Sequence, residues 1–351
     1  MSSWVARPCQ GFSLIGKRAL DDPRNQLVFH FVRIISELKP KYFVFENVKG
    51  LTLGKHRQFL TEIIEALKAC GYNVVEDYRV LNAADYGVPQ DRRRLFLMGS
   101  RADQRVPFYP TPTYRTTVGE ALADLPNADK FPALQHSDSV RTRFTTKSKY
   151  AQMLRGQAED ANDFGYRREY DPGVLTASRT TVHTALSIER FAATEAGKTE
   201  PISRFRKLDA AGLCNTLRAG TDSARGAFTS PRPIHPTHPR VITVREAARL
   251  HSYPDWFRFH VTKWHGFRQI GNSVPPLLGR AVGSEIARAL GYAPTKPGRV
   301  IEMGDETLLS FDMSGAAAYF GVPHTVIAQR TRRSSESVKV PTDKEIAHVH
   351  G

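Results

Sequence analysis

The sequence predicts an α/β protein with a largely parallel sheet, joined to a long irregular segment that faces a polyanionic partner. Helical and strand patterns alternate through residue 100, which is typical of an α/β layer. That rhythm is lost from about residue 101 to 238. Fifty Lys and Arg residues against 35 Asp and Glu leave a formal charge of +15. Charge of this sign favours nucleic acid over a membrane surface as the partner.

The first hundred residues contain apolar runs with either helical or strand periodicity. A helix is predicted where apolar residues recur every three or four positions and a proline or glycine follows. A strand is predicted for short β-branched and aromatic runs. The predicted elements are a helix over 24–39, a strand over 41–47 that ends near Glu46, a helix over 57–69 stopped by Gly71, and strands over 73–81 and 93–100.

Residues 101–238 are rich in Pro, Thr, Arg and Gly and have few long apolar periods. Basic clusters occur at 141–149 (RTRFTTKSK) and 203–207 (SRFRK). This composition predicts a loop-rich, strand-poor module that presents polar and basic side chains to a partner, with a solvated insertion as the alternative.

Regular structure returns near residue 240. Thr243 and Glu246 predict a capping box that opens a helix, and Ser273 is expected to cap a second helix that Gly291 ends. Residues 314–333 (SGAAAYFGVPHTVIAQRTRR) fit either a small helix-turn-helix or a plain solvated helical tail.

No metal site and no membrane segment are expected. Three widely separated cysteines have no zinc-ligand spacing, and the HPTHP stretch at His235 and His238 lacks further ligands, so it is interpreted as a polar loop. The sequence has no run of 18 apolar residues and no signal-peptide order at its start. We therefore expect a cytoplasmic protein with no membrane partner.

Five short blocks then follow one another in a recognisable order. They are PCQGFS (8–13), FENV (45–48), QDRRRLF (90–96), RVITVREAARL (240–250) and QIGNSVPP (269–276). In this order they resemble the motifs of the C5-cytosine-specific DNA methyltransferases, over about four fifths of the chain. The resemblance implies a Rossmann-like class I methyltransferase sheet, incomplete here, and a smaller irregular target recognition domain. The implied domains are a partial catalytic domain at 1–100, the recognition domain at 101–238, a return to the catalytic domain at 239–292 and a tail at 293–351.

The resemblance also implies a reaction and the residues that perform it. Members transfer a methyl group from S-adenosylmethionine to C5 of a cytosine flipped out of duplex DNA. By resemblance, the Cys9 thiolate adds to cytosine C6, since C5 is a poor nucleophile until C6 is attacked. Glu46 of FENV shares a proton with ring N3, and Arg94, supported by Arg92, lies beside O2.

Binding residues follow from the same resemblance. The residues expected to close over DNA and hold its phosphates are Gln10, Ser13, Lys17, Arg18 and Arg24. Groove contacts are expected from the Thr-Leu signature, at Thr216, Leu217 and Arg218. The methyl donor is expected to contact Pro8, Leu27, Asn272, Ser273 and Val274.

The chain departs from the family before its cysteine. The Gly-rich turn and the acidic residue that bind the donor normally precede PCQ, yet no Gly-x-Gly occurs anywhere and Ala6-Arg7-Pro8 replaces Gly-Pro-Pro. We expect a truncated or split enzyme whose open sheet edge requires a complementing polypeptide with the missing N-terminal motifs; a misplaced start and a decayed gene stay open. Double-stranded DNA and a cognate restriction endonuclease acting on the same site are the other expected partners. A catalytically incomplete DNA-binding fragment and an RNA cytosine methyltransferase are the alternative functions.

Overall fold

The central sheet has four strands and carries helices on both faces. The computed structural model describes residues 26–145, 148–220 and 232–324. Its helices are α1 (Gln26–Leu38), α2 (Lys55–Ala69), α3 (Val118–Leu122), α4 (Lys149–Leu154), α5 (Ala185–Ala193), α6 (Val244–Leu250), α7 (Lys263–Asn272), α8 (Pro276–Ala289) and α9 (Met313–Phe320). Its strands are β1 (Tyr42–Val48), β2 (Tyr72–Val74), β3 (Arg79–Asn82), β4 (Gln90–Asp91), β5 (Arg93–Arg101), β6 (Val140–Arg141), β7 (Arg167–Glu169), β8 (Val174–Leu175), β9 (Cys214–Asn215) and β10 (Val300–Glu302).

The α/β class is confirmed, but the strands of the central sheet do not pair in parallel as expected. β1, β2 and β3 each pair antiparallel with β5. The connection from β3 to β5 explains part of this difference. It contains only residues 83–92, whereas a parallel neighbour needs a crossover of about a dozen residues or more. The three partners of β5 therefore share one direction, and β5 runs against them.

Alternation along β5 divides the core into two layers. Leu95 and Leu97 pack with α1 and α2 on one face of the sheet. Phe96 and Met98 point to the other face, where they join the core formed with α6 and α8. Successive side chains of a strand point to opposite faces, so this single strand contributes to both layers.

The strand predicted over 73–81 is two strands. Glu76 and Asp77 have φ angles of 42° and 53°, the left-handed region that interrupts an extended chain. β2 and β3 consequently pair with different stretches of β5. The prediction of one continuous strand was wrong because side-chain alternation alone does not reveal this turn.

Most predicted helix ends are confirmed, with one correction. Thr243 and Glu246 form the capping box that opens α6. Ser273 does not cap α8, whose first residue is Pro276. It ends α7 instead, where its hydroxyl donates to the carbonyl of Ile270 at 2.8 Å.

Helix α6 is buried along its whole length and is connected through ion pairs to residues on both sides of it in the sequence. Arg249 donates to Asp124 at 2.9 and 3.0 Å and to Asp255 at 2.6 and 2.7 Å. Arg240 forms a bidentate pair with Glu246 at 2.7 and 2.8 Å. The described residues between 102 and 238 form only short elements, of which α5, with nine residues, is the longest. Their status as a separate domain stays a prediction.

The Glu246 carboxylate makes stability depend on pH. Burial would raise its pKa, but Arg240 and then His235 outweigh burial and lower the pKa to about 2. An unfolded Glu has a pKa of about 4.3. The stabilisation is therefore present above about pH 4.3 and is lost as pH falls towards 2; it amounts to roughly 3 kcal/mol.

We expect Arg240→Gln to remove most of this acid-side dependence. Urea unfolding at several pH values between 2 and 6 measures it. The exposed pair of Arg33 and Glu37 provides a control, Arg33→Gln, which should follow the wild-type pH curve. An Arg240→Gln curve parallel to the wild type would contradict the assignment.

Residues from Asp305 form a second compact unit. Within it, α9 ends at Gly321, whose φ of 62° is the left-handed geometry of a helix stop. This helix fits both alternatives, the helix-turn-helix and the plain helical tail, and the residues after 324 that would distinguish them lie outside the described residues. Among the described helices, none has the length and apolar character needed to cross a bilayer.

Candidate active site

Glu46 and Arg94 meet on one face of the central sheet. In the β1·β5 ladder Glu46 pairs with Phe96 and Val48 pairs with Arg94, so the two charged residues are diagonal neighbours. Arg94 Nε lies 3.1 Å from Glu46 Oε1, and the two side chains are 13% and 29% exposed. Two residues predicted for catalysis are thus brought together in a partly open position.

Burial sets the electrostatics of this pair. It raises the pKa of Glu46, and the opposing effects of Arg94 and then Arg92 are smaller. Burial also lowers the pKa of Arg94, against the effect of Glu46. A carboxyl group with a raised pKa retains a proton more readily than an exposed glutamate, and the guanidinium beside it offers N–H donors.

Arg92 is buried and bridges three chain segments. Its guanidinium donates to the carbonyls of Leu217, Gly271 and Ser273, each at 2.9 Å. Its backbone N–H donates to Asn82 Oδ1 at 3.0 Å. Burial, and then the charge of Arg94, lower its pKa to about 10. Arg92 is only 1% exposed, so we assign it to positioning the loops around Arg94.

Gln90 and His251 extend this buried network. The Gln90 amide oxygen accepts from the N–H of Leu217 at 3.0 Å, and its nitrogen donates to the Leu250 carbonyl at 3.1 Å. That nitrogen also lies 3.0 Å from His251 Nδ1, and His251 Nε2 lies 3.2 Å from the Ser273 carbonyl.

These contacts determine the form of the imidazole. Because an amide nitrogen only donates, Nδ1 accepts, and the ring proton lies on Nε2 and faces the Ser273 carbonyl. Burial and then Arg92 lower the His251 pKa to about 3. His251 is therefore a neutral link between Gln90 and the QIGNSVPP loop.

The Thr-Leu segment is an anchor, and the burial of Leu217 argues against one of the three expected groove contacts. β9, just before it, pairs with β4, and the Thr216 hydroxyl donates to the Asp91 carbonyl at 2.7 Å. Leu217 is 1% exposed and lies in the core. Both residues therefore hold the QDRRR block in place. Leu217 has no free surface, and the Thr216 hydroxyl is already bonded to the block. Thr216 is half-buried and Arg218 is exposed, and their groove contacts stay predictions.

Gly271 lets the same segment lie directly on the QIGNSVPP loop. A Cβ atom at this position would lie 2.3 Å from the Arg218 carbonyl carbon and from the Ala219 nitrogen. Real Cβ atoms do not approach backbone so closely, so only glycine fits. Two motifs more than 50 residues apart in sequence are thus in direct contact.

The predicted donor-binding residues differ in what they offer. The Ser273 carbonyl accepts from Arg92 and His251, and its hydroxyl bonds Ile270. Asn272 is exposed and Val274 is half-buried. Only the backbone of Leu27 is described, in the first turn of α1. Asn272 is thus the predicted donor contact whose polar side chain is exposed to solvent.

The remaining predicted site residues lie outside the described residues. They are Pro8, Cys9, Gln10, Ser13, Lys17, Arg18 and Arg24. Sequence reasoning also missed His251 and Asn82, which support Arg92. The polar residues Gln90 and Arg92 of the QDRRR block indicated that hydrogen-bond partners would be needed if these side chains were buried. No spacing rule, however, identifies which residues those partners are.

The chain is similar to known DNA methyltransferases. The model of the C-5 cytosine-specific DNA methylase family matches residues 5–288. The type II methyltransferase M.XorII of Xanthomonas oryzae pv. oryzae is 67% identical over 325 residues, which are 93% of this chain and 77% of that protein. M.DdeI of Desulfomicrobium norvegicum is 32% identical, with 80% and 71% of the two chains covered. A crystal structure described as a prophage-encoded DNA modification methyltransferase of E. coli is 34% identical, with a TM-score of 0.63 and coverage of 81% and 77%.

Proposed function

Because this chain belongs to the C-5 cytosine-specific DNA methylase family, we propose that it methylates a cytosine flipped out of duplex DNA through a covalent bond between Cys9 and C6. The chain is a DNA (cytosine-5-)-methyltransferase of the type II restriction-modification kind. Enzymes of this family use S-adenosylmethionine as the methyl donor. The covalent route, the flipped base and the roles of single residues are the proposal.

The contact between Glu46 and Arg94 carries the proposal. Addition of a thiolate at C6 pushes electron density towards ring N3 and O2. A carboxyl group with a raised pKa suits proton sharing with N3, and a guanidinium beside it suits O2. The base then takes the place of their mutual contact, so each group exchanges one partner for another.

Cys9 supplies the nucleophile in this scheme. Its sulfur forms a bond to C6, and the proton shared between Glu46 and N3 prevents charge from accumulating on the ring. The electron pair displaced by the addition makes C5 nucleophilic. After transfer, a base takes the C5 proton, the C5–H electron pair restores the C5–C6 double bond, and the C6–S bond breaks with its electron pair leaving on sulfur as the Cys9 thiolate. A free thiol is only a few per cent thiolate near neutral pH, because its pKa is about 8.5.

The described part of the QIGNSVPP loop suits the donor. Bound S-adenosylmethionine supplies an electrophilic methyl group. The exposed amide of Asn272 and the half-buried surface of Val274 offer a polar and an apolar contact. Arg92 and His251 hold the Ser273 backbone between them. Pro8 and Leu27 remain proposed contacts.

DNA recognition is proposed for two parts of the chain. The residues after the nucleophile, Gln10, Ser13, Lys17, Arg18 and Arg24, would close over the duplex and hold its phosphates. Residues 101–238 would form the target recognition domain, between catalytic parts at 1–100 and 239–292. Thr216 and Arg218 are their proposed groove contacts, and a cognate endonuclease would cut the same site.

A labelling experiment tests the function. The chain is incubated with cytosine-containing duplex DNA and S-adenosylmethionine labelled in its methyl group, with and without a companion protein that supplies a Gly-rich donor motif. We expect label on C5 of cytosine. Label only with the companion would support a split enzyme. DNA binding without transfer in either mixture would contradict the proposal and favour a DNA-binding subunit; faster labelling of transfer RNA would favour an RNA substrate.

A further inference from the structure

Helix α7 presents a polar and aromatic stripe next to the candidate active site. Trp264, Arg268 and Asn272 follow one another at intervals of four residues, so their side chains lie on one side of the helix. Trp264 is 38% exposed, Arg268 is half-exposed and Asn272 is exposed. Phe267 and Ile270, on another side, are buried in the core. The stripe therefore faces solvent while the helix beneath it is fixed.

Two arginines at this surface lack a protein partner. Arg268 and Arg218 form no hydrogen bond or ion pair with any residue in the described ranges. Arg288, on the next helix, is by contrast paired with Glu285 at 2.7 Å. An uncompensated guanidinium on a half-exposed surface is available to an anion, and its planar donors fit the oxygens of a phosphate.

The C-terminal end of α7 is joined by direct contacts to Arg218 and to the QDRRR block that carries Arg94. The backbone of Arg218 lies against Gly271, three residues after Arg268. Arg92 binds the carbonyl of Gly271, so one buried side chain ties this surface to the QDRRR block. A ligand that occupies the active site would pass close to the end of α7.

The start of α7 is positively charged as well. Lys263 donates to the Thr180 carbonyl at 2.8 Å and to the Thr181 hydroxyl at 3.0 Å. Burial and then the charges of Arg232 and Arg179 lower its pKa. The start of α7 is thus hydrogen-bonded to the proposed recognition domain. Several positive charges lie close together at this place.

We propose that Trp264 and Arg268 of this stripe, together with Arg218, bind the phosphodiester backbone of duplex DNA beside the flipped cytosine. The proposal rests on the function given above and adds a contact surface to it. Arg268 pairs with a phosphate, Arg218 reaches a phosphate at the edge of its proposed groove, and the Trp264 ring packs against a sugar. The formal charge of +15 gives the duplex a general attraction, which this surface converts into a fixed orientation.

Salt-dependent binding tests the proposal. The affinity of the full chain for duplex DNA is measured by fluorescence anisotropy over a series of KCl concentrations. One lost phosphate contact should make the slope of log K against log salt shallower by about 0.9, which at 0.1 M salt is about eightfold weaker binding. We expect this change for Arg268→Gln and for Arg218→Gln on duplexes of any sequence. Arg268→Lys should retain the wild-type slope.

Controls separate this contact from general charge and from folding. Arg33→Gln removes the same charge from a paired arginine on α1 and should leave the slope unchanged. Thermal unfolding checks that each variant folds. Tryptophan emission of the wild type should change when duplex DNA binds, and this change should be lost in Trp264→Phe.

Two results would overturn the proposal. One is an Arg268→Gln slope equal to that of Arg33→Gln; the other is a loss confined to an RNA hairpin. Methyl transfer is scored separately with the wild type. If the wild type transfers no methyl group but Arg268→Gln still weakens DNA binding, the proposed function is wrong and the proposed DNA-binding surface is supported.

Discussion

Glu46→Gln is expected to lower the rate constant for methyl transfer by about 10²–10⁴-fold, the range of a lost general acid. Glutamine keeps the shape of the side chain and an N–H donor, but it cannot pass a proton to and from ring N3. Base binding should therefore survive while the chemical step slows. Single-turnover transfer of labelled methyl groups at saturating DNA measures the effect.

The control for Glu46→Gln is Glu37→Gln, since Glu37 is exposed on α1 and pairs with Arg33. It should match the wild-type rate. Urea unfolding of Glu46→Gln shows whether the fold tolerates Arg94 without its carboxylate. A folded Glu46→Gln variant that transfers methyl groups within about threefold of the wild-type rate would remove Glu46 from the chemistry.

Arg92→Met is expected to lower the free energy of unfolding by roughly 2–6 kcal/mol. Methionine fills much of the same space, but it leaves the carbonyls of Leu217 and Gly271 without their donor and the Ser273 carbonyl with only the His251 N–H. Each buried group that loses its partner costs roughly 1–3 kcal/mol, and the costs are not strictly additive. Arg92→Lys should recover only part of the loss, because one ammonium group does not reproduce the planar donor set that reaches all three carbonyls.

The neighbouring residue supplies the control for Arg92. Arg93 pairs with Asp91 at 3.3 Å, and both side chains are about half exposed. Exposed pairs of this kind contribute about 0–1 kcal/mol, so Arg93→Gln should unfold nearly as the wild type does. Equal urea midpoints for Arg92→Met and Arg93→Gln would show that the buried arginine does not connect the three segments.

Local pattern was sufficient for the elements around the site. Proline and glycine stops, apolar periods and the Thr243–Glu246 capping box predicted α1, α2, α6 and the strands that carry Glu46 and Arg94. The antiparallel pairing of β5 could not be read in this way, because strand direction depends on the length of connections and not on side-chain alternation. Glu76 and Asp77 in left-handed geometry were missed for a similar reason, since neither residue type demands a turn.

Contacts between distant segments were the least predictable part of the site. Motif order placed Glu46, Arg92 and Arg94 in one site, and the ion pair of Glu46 with Arg94 is consistent with that. Groove contacts were expected at Thr216 and Leu217 because these two residues resemble the Thr-Leu signature of target recognition domains. Their anchoring role emerges only when Gln90, Arg92 and Gly271 are seen against them, and those contacts span more than 100 residues of sequence for Gln90 and Arg92.

The most direct test of the account is the covalent bond itself. A duplex containing 5-fluorocytosine at the target base blocks removal of the C5 substituent, so an enzyme that attacks C6 remains attached. After incubation with the methyl donor, proteolysis and mass spectrometry should locate the attached nucleotide on the peptide that contains Cys9, and Cys9→Ser should yield no adduct. A nucleotide attached to any other residue, or an adduct that persists in Cys9→Ser, would contradict the account.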